Sequence, residues 1–417
     1  MRFVVNGGHR LSGRLRVQGA KNSILPILAA CVLCRGRVVL HNCPALSDVL
    51  SAVRILRHLG LSVICDGDEL CVTGAPLSSC EVPKSLMHEM RSSVVFLGAI
   101  LASAGCARVS MPGGCELGPR PIDIHIAALR RLGAVVEDDC GVLNCSVPQG
   151  LVGAEIALLF PSVGATENAI LAAVLAKGTT VITNAAREPE IVDLARFLNA
   201  CGAHVGGAGS GTVTVQGVRE LHGGEYTIMP DRIATVTFLT AAAITGGDVT
   251  VTGAEKAHIT SVLSLLEQSG CEISVCRDTV RLRGAQRPES MAIIKTLPYP
   301  GFPTDAQAPL MALASLADGS TMFVETIFEN RYRHVCELIR MGADIKTEGR
   351  VAVVNGVPRL HGAAVTCGDL RGGAALLLAA LAAGGESTID RIEHIDRGYQ
   401  QIEVSLSALG ADIKRTE

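Results

Sequence analysis

Apolar residues along this chain form two helical patterns that alternate. One pattern is apolar almost all round, at 23–34, 92–104, 168–177, 235–245, 307–318 and 373–383. Segments of that kind have no face for water and belong inside a core. The other is a stripe with a polar opposite face, as in PIDIHIAALRRL at 121–132, whose paired arginines would face solvent. Each stripe ends in Leu-x-x-x-Gly-x-x-[Val/Ile], first at Leu56/Gly60/Val63, Leu129/Gly133/Val136 and Leu198/Gly202/Val205. The pattern returns at Leu266/Gly270/Ile273, Leu338/Gly342/Ile345 and Leu406/Gly410/Ile413. The spacing predicts a helix closed by a left-handed glycine and followed at once by a strand.

These glycines recur every 68 to 73 residues, so six units fill the chain. Each unit reads as strand, buried helix, strand, amphipathic helix and a strand pair. Helices inside, with sheets and outer helices around them, make an inside-out α/β arrangement of two lobes with three units each. The sixth unit lacks its last strand, since only seven residues follow Gly410. The N-terminal segment Phe3-Val4-Val5-Asn6-Gly7 has the missing strand's form and is expected to complete the C-terminal lobe. The expected domains are therefore 22–229 and a discontinuous one of 1–21 plus 230–417.

Composition narrows the function. Hydrophobic residues make up 48% and charged residues 18%, which excludes disorder. With 37 basic and 40 acidic residues, the chain lacks the basic footprint of a general nucleic-acid or anionic-membrane binder. Its longest apolar runs, 24–34, 94–107 and 374–383, fall short of the ~18–20 residues of a membrane span. No apolar stretch of a secretory signal follows Arg2, so a soluble, cytoplasmic protein is expected. Fifteen cysteines form no framework; the lone C-x-x-C, Cys31 and Cys34, lies in an apolar helix and reads as core packing rather than zinc binding.

The polar residues of the buried helices gather at their starts: Lys21-Asn22, Arg91, Ser162, Asp231-Arg232, Thr304-Asp305 and Asp369-Arg371. Ser162, Thr304 and Asp369 could be ordinary caps. Capping does not explain Lys21, Arg91 and Arg371, because a cation opposes the dipole at a helix N-terminus. Helix N-termini of three parallel helices on one face suit phosphates and carboxylates. A second anomaly lies in unit two, where 28 residues separate Gly105 from Gly133 against 23 or 24 in units one, three and five. The surplus, 112–121 (PGGCELGPRP), reads as a lid that carries Cys115 beside Arg120. Nearby positive charge lowers a thiol pKa, while Glu116 acts against it.

Several of these segments, in order along nearly the whole chain, resemble the enolpyruvyl transferases. They are Gly19-Ala20-Lys21-Asn22, Pro112-Gly113-Gly114-Cys115 with Arg120-Pro121, the segment 162–168 (SVGATEN), 184–190 (NAAREPE), Pro303-Thr304-Asp305, 325–331 (ETIFENR) and 394–399 (HIDRGY). The resemblance implies a two-domain inside-out α/β barrel. It also implies transfer of the enolpyruvyl group of phosphoenolpyruvate to the 3-hydroxyl of UDP-N-acetylglucosamine, with release of phosphate. By similarity Cys115 is the acid at carbon and can form a covalent phosphoenolpyruvate adduct, and Asp305 is the base. Lys21, Arg120 and Arg397 would hold phosphate, Arg331 and Arg371 the carboxylate, and Asn22 both substrates. Arg91, Arg120, Pro121, Ile122, Asp123, Ile124, Ser162, Val163, Gly164, Asp305 and Ile327 would hold the sugar nucleotide. No metal or separate cofactor is expected.

Two departures stand out. Phe160 occupies a position where some members place a lysine against the nucleotide, and Glu116-Leu117 and Pro119 replace commoner apolar or small residues near the thiol. The nearest rival reaction uses shikimate 3-phosphate, whose enzymes lack the Gly-Gly-Cys lid. A silent binding paralogue is disfavoured by retention of Lys21, Cys115, Asp305 and Arg397 together. A thiol or zinc protein built on Cys31 and Cys34 is the weakest reading.

Overall fold

The computed structural model describes residues 1–74, 76–111 and 122–417, apart from the side chain of Arg91. The chain forms two compact units, one of residues 1–18 and 230–417 and the other of the described residues of 19–229. The first changeover lies at 18/19 rather than 21/22 because Lys21 opens a helix of the second unit and pairs there with Asp48.

Described strands form six four-stranded sheets, three in each unit. In sequence terms four of the six sheets run first, second, fourth, third strand, as in Glu155–Ala157, Thr179–Thr183, Thr212–Gln216 and His204–Gly206, and the other two each take one strand from far along the chain. The first pair is parallel and the others are antiparallel. A parallel pair needs a crossover, and the buried helix supplies it. Here that helix is Val163–Ala173, every residue of which from Ala165 onward is buried.

Each amphipathic helix ends two residues before its repeating glycine. Gly60, Gly133, Gly202, Gly270, Gly342 and Gly410 all have φ between +86° and +101°. The N–H after each glycine reaches the carbonyl of the motif leucine, as Leu61 N to Leu56 O at 3.0 Å and Ala411 N to Leu406 O at 3.0 Å. This double-bonded helix ending explains why the motif spaces Leu and Gly four apart. An alanine at such a φ would cost roughly 1–2 kcal/mol.

Two strands do not stay with the helix that follows them. Ser12–Arg16 precedes Lys21–Ala30 but pairs in parallel with Asp248–Thr252, in the sheet of the 230–417 unit. Leu221–Thr227 precedes Arg232–Ile244 but pairs with Cys34–His41. Both lie just before a changeover between units, so each strand closes the unit that the chain is leaving. Arg2–Asn6 lies between Glu386–Asp390 and Asp412–Thr416, supplying the strand missing from the sixth unit.

In the 1–18 and 230–417 unit the core is built by Arg232–Ile244, Thr304–Ala314 and Leu370–Ala382, which pack on one another. In the 19–229 unit Phe96–Ala104 packs against Lys21–Ala30 and Val163–Ala173. Cys31 and Cys34 lie within that core, where burial pushes the Cys31 thiol up. Among the described residues no helix is long and apolar enough to cross a membrane.

Candidate active site

Three helix starts of the 230–417 region converge on one carboxylate. Asp305 stands in the first turn of Thr304–Ala314. Its Oδ1 accepts from Arg331 Nη2 at 2.9 Å and from Arg371 Nε at 3.2 Å. Arg371 lies in the first turn of Leu370–Ala382, and Arg232 opens Arg232–Ile244. The side chains of Arg331 and Arg371 are 3% and 6% exposed, that of Asp305 27%. Burial by itself would raise the Asp305 pKa. The charges of Arg371, Arg331 and Arg232 outweigh it and hold the carboxyl well below the usual range.

The surrounding contacts fix the arginines. Arg371 Nη1 donates to Tyr399 Oη at 3.2 Å, and its guanidinium lies 5.6 Å from the centroid of that ring. Arg331 Nη2 also donates to Thr304 O at 3.0 Å. Arg397 follows the short helix Glu393–Asp396 and is half-buried. Gln18 clasps the residues after it, donating to Gly398 O at 3.1 Å and accepting from Gln400 N at 2.8 Å.

Asp369 and Ser162 do cap their helices. Asp369 Oδ1 accepts from Arg371 N and Gly372 N, both at 2.9 Å, and Ser162 Oγ from Ala165 N at 3.4 Å. Thr304 does not cap, because Pro303 holds that position and Thr304 Oγ1 donates to Glu325 Oε2 at 2.9 Å. Buried Glu325 also accepts from Ile327 N at 2.8 Å and Phe328 N at 3.1 Å, so it shapes the turn that presents Ile327. Sequence reasoning missed this role, although Glu325 belongs to the same motif as Ile327 and Arg331.

In the 19–229 unit, Lys21 Nζ lies 2.6 Å from Asp48 Oδ2, with the side chains 10% and 5% exposed. Asp48 was missed as well; its only signal is an acid in the first turn of Ser47–His58. Asn22 follows Lys21 and is half-buried. Next to it, Ser23 Oγ donates to Asp193, which also accepts from Tyr226 Oη at 2.6 Å and Met229 N at 3.2 Å. This carboxylate ties down the first turn of the lysine-bearing helix.

Within this unit, the described residues expected at the nucleotide lie on packed neighbours. Val163 and Gly164 begin the helix capped by Ser162. Ile122, Asp123 and Ile124 are at the start of Asp123–Arg131, which packs against that helix. Arg91 opens the turn Arg91–Val95, which packs there too. Cys115, Arg120 and Pro121, with the whole lid 112–121, lie outside the described residues. Among the described residues no group of three or more His, Cys, Asp or Glu is placed to hold a metal ion.

Residues 5–406 match the family model of EPSP synthase (3-phosphoshikimate 1-carboxyvinyltransferase). UDP-N-acetylglucosamine 1-carboxyvinyltransferase 1 of Symbiobacterium thermophilum is 53% identical over 419 residues, covering 99% of this chain and 95% of that protein. UDP-N-acetylglucosamine 1-carboxyvinyltransferase 2 of Caldanaerobacter subterraneus is 49% identical over 414 residues, 99% of each. The chain belongs to the enolpyruvyl transferases, among the UDP-N-acetylglucosamine 1-carboxyvinyltransferases. The enolpyruvyl transferase NikO from Streptomyces tendae superposes with a TM-score of 0.89 at 26% identity, over 99% of this chain and 98% of its own. EPSP synthase from Acinetobacter baumannii shares the fold at 19% identity, with a TM-score of 0.78 over the full length of both chains. The six-unit architecture is thus that of the enolpyruvyl transferase family, the inside-out α/β barrel.

Proposed function

We propose that this chain transfers the enolpyruvyl group of phosphoenolpyruvate to the 3-hydroxyl of UDP-N-acetylglucosamine and releases phosphate, the first committed step of peptidoglycan synthesis. The observation that carries this reading is 47–53% identity to proteins bearing that activity's name, over 99% of the chain. The shikimate 3-phosphate reaction is the second reading, supported by the family model alone, since the EPSP synthase structures are only 19–20% identical.

In this reading Cys115 protonates the methylene carbon of phosphoenolpyruvate, and C2 becomes cationic. The sugar 3-oxygen adds to C2 while Asp305 takes its proton. The tetrahedral ketal then expels phosphate, and loss of a methyl proton restores the double bond. Lys21, Arg120 and Arg397 neutralise the phosphate, Arg331 and Arg371 the carboxylate, and Asn22 orients both substrates. Arg91, Arg120, Pro121, Ile122, Asp123, Ile124, Ser162, Val163, Gly164 and Ile327 hold the sugar nucleotide. Cys115 can also carry phosphoenolpyruvate covalently, and no separate cofactor or metal takes part.

The pairing of Asp305 adds a condition. Arg331 and Arg371 keep it ionised, the form that can accept a proton, but also keep it a weak base. A substrate carboxylate drawing on the same arginines would loosen their hold on Oδ1 and raise its basicity. The partners are small molecules rather than nucleic acid or membrane, and free thiols at the described cysteines suit a cytoplasmic setting.

Steady-state phosphate release with phosphoenolpyruvate and each acceptor tests the proposal. Release is expected with UDP-N-acetylglucosamine; release with shikimate 3-phosphate alone would overturn it. Fosfomycin, an epoxide, should add its mass to Cys115, and a mass shift on another cysteine would remove Cys115 from its role.

A further inference from the structure

Asn168 is among the buried polar residues to which no role has yet been assigned. Asn168 lies in the second turn of Val163–Ala173 and is fully buried. Its Oδ1 accepts from Gly98 N at 2.7 Å, which settles which end of the amide is oxygen. Nδ2 therefore offers two hydrogens and no lone pair. One goes to Val94 O at 2.9 Å and the other to His125 Nδ1 at 2.8 Å. His125 Nδ1 must accept, so the proton of the neutral ring sits on Nε2. That edge of the ring faces Gly164, where an added Cβ would stand 3.0 Å from Cε1 and 3.3 Å from Nε2.

One amide thus joins the turn Arg91–Val95, the helix Asp123–Arg131 and the helix Val163–Ala173. These carry Arg91, Ile122–Ile124 and Ser162–Gly164, the described segments of this unit assigned to the sugar nucleotide. We propose that Asn168 is a positioning residue for that substrate, locking the three segments together and fixing His125 as the Nε2–H tautomer beside the bare backbone of Gly164. The inference rests on the nucleotide reading given under Proposed function. Its physical basis is satisfaction: both Nδ2 hydrogens and Oδ1 are used, and a change of one donor to an acceptor breaks two contacts at once.

Asn168→Asp makes that change with almost no change in shape. Val94 O loses its donor, and His125 must move its proton to Nδ1. Full-length protein would be assayed for phosphate release against UDP-N-acetylglucosamine and phosphoenolpyruvate in turn, with 15N NMR of labelled histidine reporting the tautomer. The KM for UDP-N-acetylglucosamine should rise by about 10-fold, with that for phosphoenolpyruvate changing less than about two-fold, since the joined segments carry none of Lys21, Asn22, Arg331, Arg371 and Arg397, and Arg120 alone adjoins them in sequence. Neutral His125 should carry its proton on Nε2 in the wild type and on Nδ1 in the variant. An unchanged sugar-nucleotide KM, equal losses for both substrates, or Nδ1–H in the wild type would overturn the proposal. If the variant does not fold, the wild-type tautomer decides. Wild-type protein that releases no phosphate with UDP-N-acetylglucosamine would sink the functional reading, while the tautomer would still judge the Asn168–His125 pair.

Discussion

Asp305 and Glu167 occupy comparable places, each near the start of a buried helix and each in a different unit. Burial raises the pKa of both, yet their net shifts are opposite. Around Asp305 stand Arg371, Arg331 and Arg232, and the carboxyl is held low. Around Glu167 burial acts first and the charges of Glu190 and Glu188 add to it, so its carboxyl is pushed well up. Helix position and burial therefore do not decide ionisation; the sign of the neighbouring charges does. Of the two, Asp305 is the one whose neighbours favour the carboxylate, which is the form a proton acceptor needs.

The strongest way to break this contrast is Asp305→Asn. Removing the anion leaves two nearly buried guanidinium groups side by side, so a stability loss of about 3–5 kcal/mol is expected. Turnover should fall by roughly 10²–10⁴ if Asp305 is the base. Urea unfolding and phosphate release measure the two effects, and full activity in this variant would remove Asp305 from the mechanism. The sign of the pH dependence follows from the lowered pKa. The stabilisation is complete above the ordinary carboxylate pKa and is lost as pH falls towards the folded value, so the gap between wild type and variant should narrow in strong acid.

Arg371→Gln tests one side of the cluster alone. With the largest opposing charge gone, the Asp305 pKa should rise, and a loss of about 1–3 kcal/mol is expected for the broken charged hydrogen bonds. Carboxyl-labelled NMR of Asp305 reads the shift directly; an unmoved titration would show that Arg331 and Arg232 suffice.

The smallest expected effect is at Glu167→Gln, which mimics the protonated acid. A raised folded pKa means that stability from the neutral carboxyl is present at low pH and lost as pH rises through the folded value. The variant should match wild type in acid and exceed it in alkali, by roughly 2–4 °C in Tm for each kcal/mol relieved. Thermal melts across pH would show a constant offset instead if Glu167 were ionised throughout.

The sequence by itself determined the six-fold repeat, the buried and amphipathic helices, and most of the candidate residues. These features are local. Leu-x-x-x-Gly encodes bonds within five residues, as between Leu61 N and Leu56 O, and an apolar run shows its burial in its own composition. Tertiary structure alone decided that Ser12–Arg16 and Leu221–Thr227 pair in sheets apart from the helices they precede. It alone matched Lys21 with Asp48, Thr304 with Glu325, and His125 with Asn168. Sheet partners and buried polar contacts join residues far apart in the chain, so no window of sequence contains both sides. The charge felt by Asp305 or Glu167 is likewise a sum over whichever helices and strands the fold brings within a few ångströms.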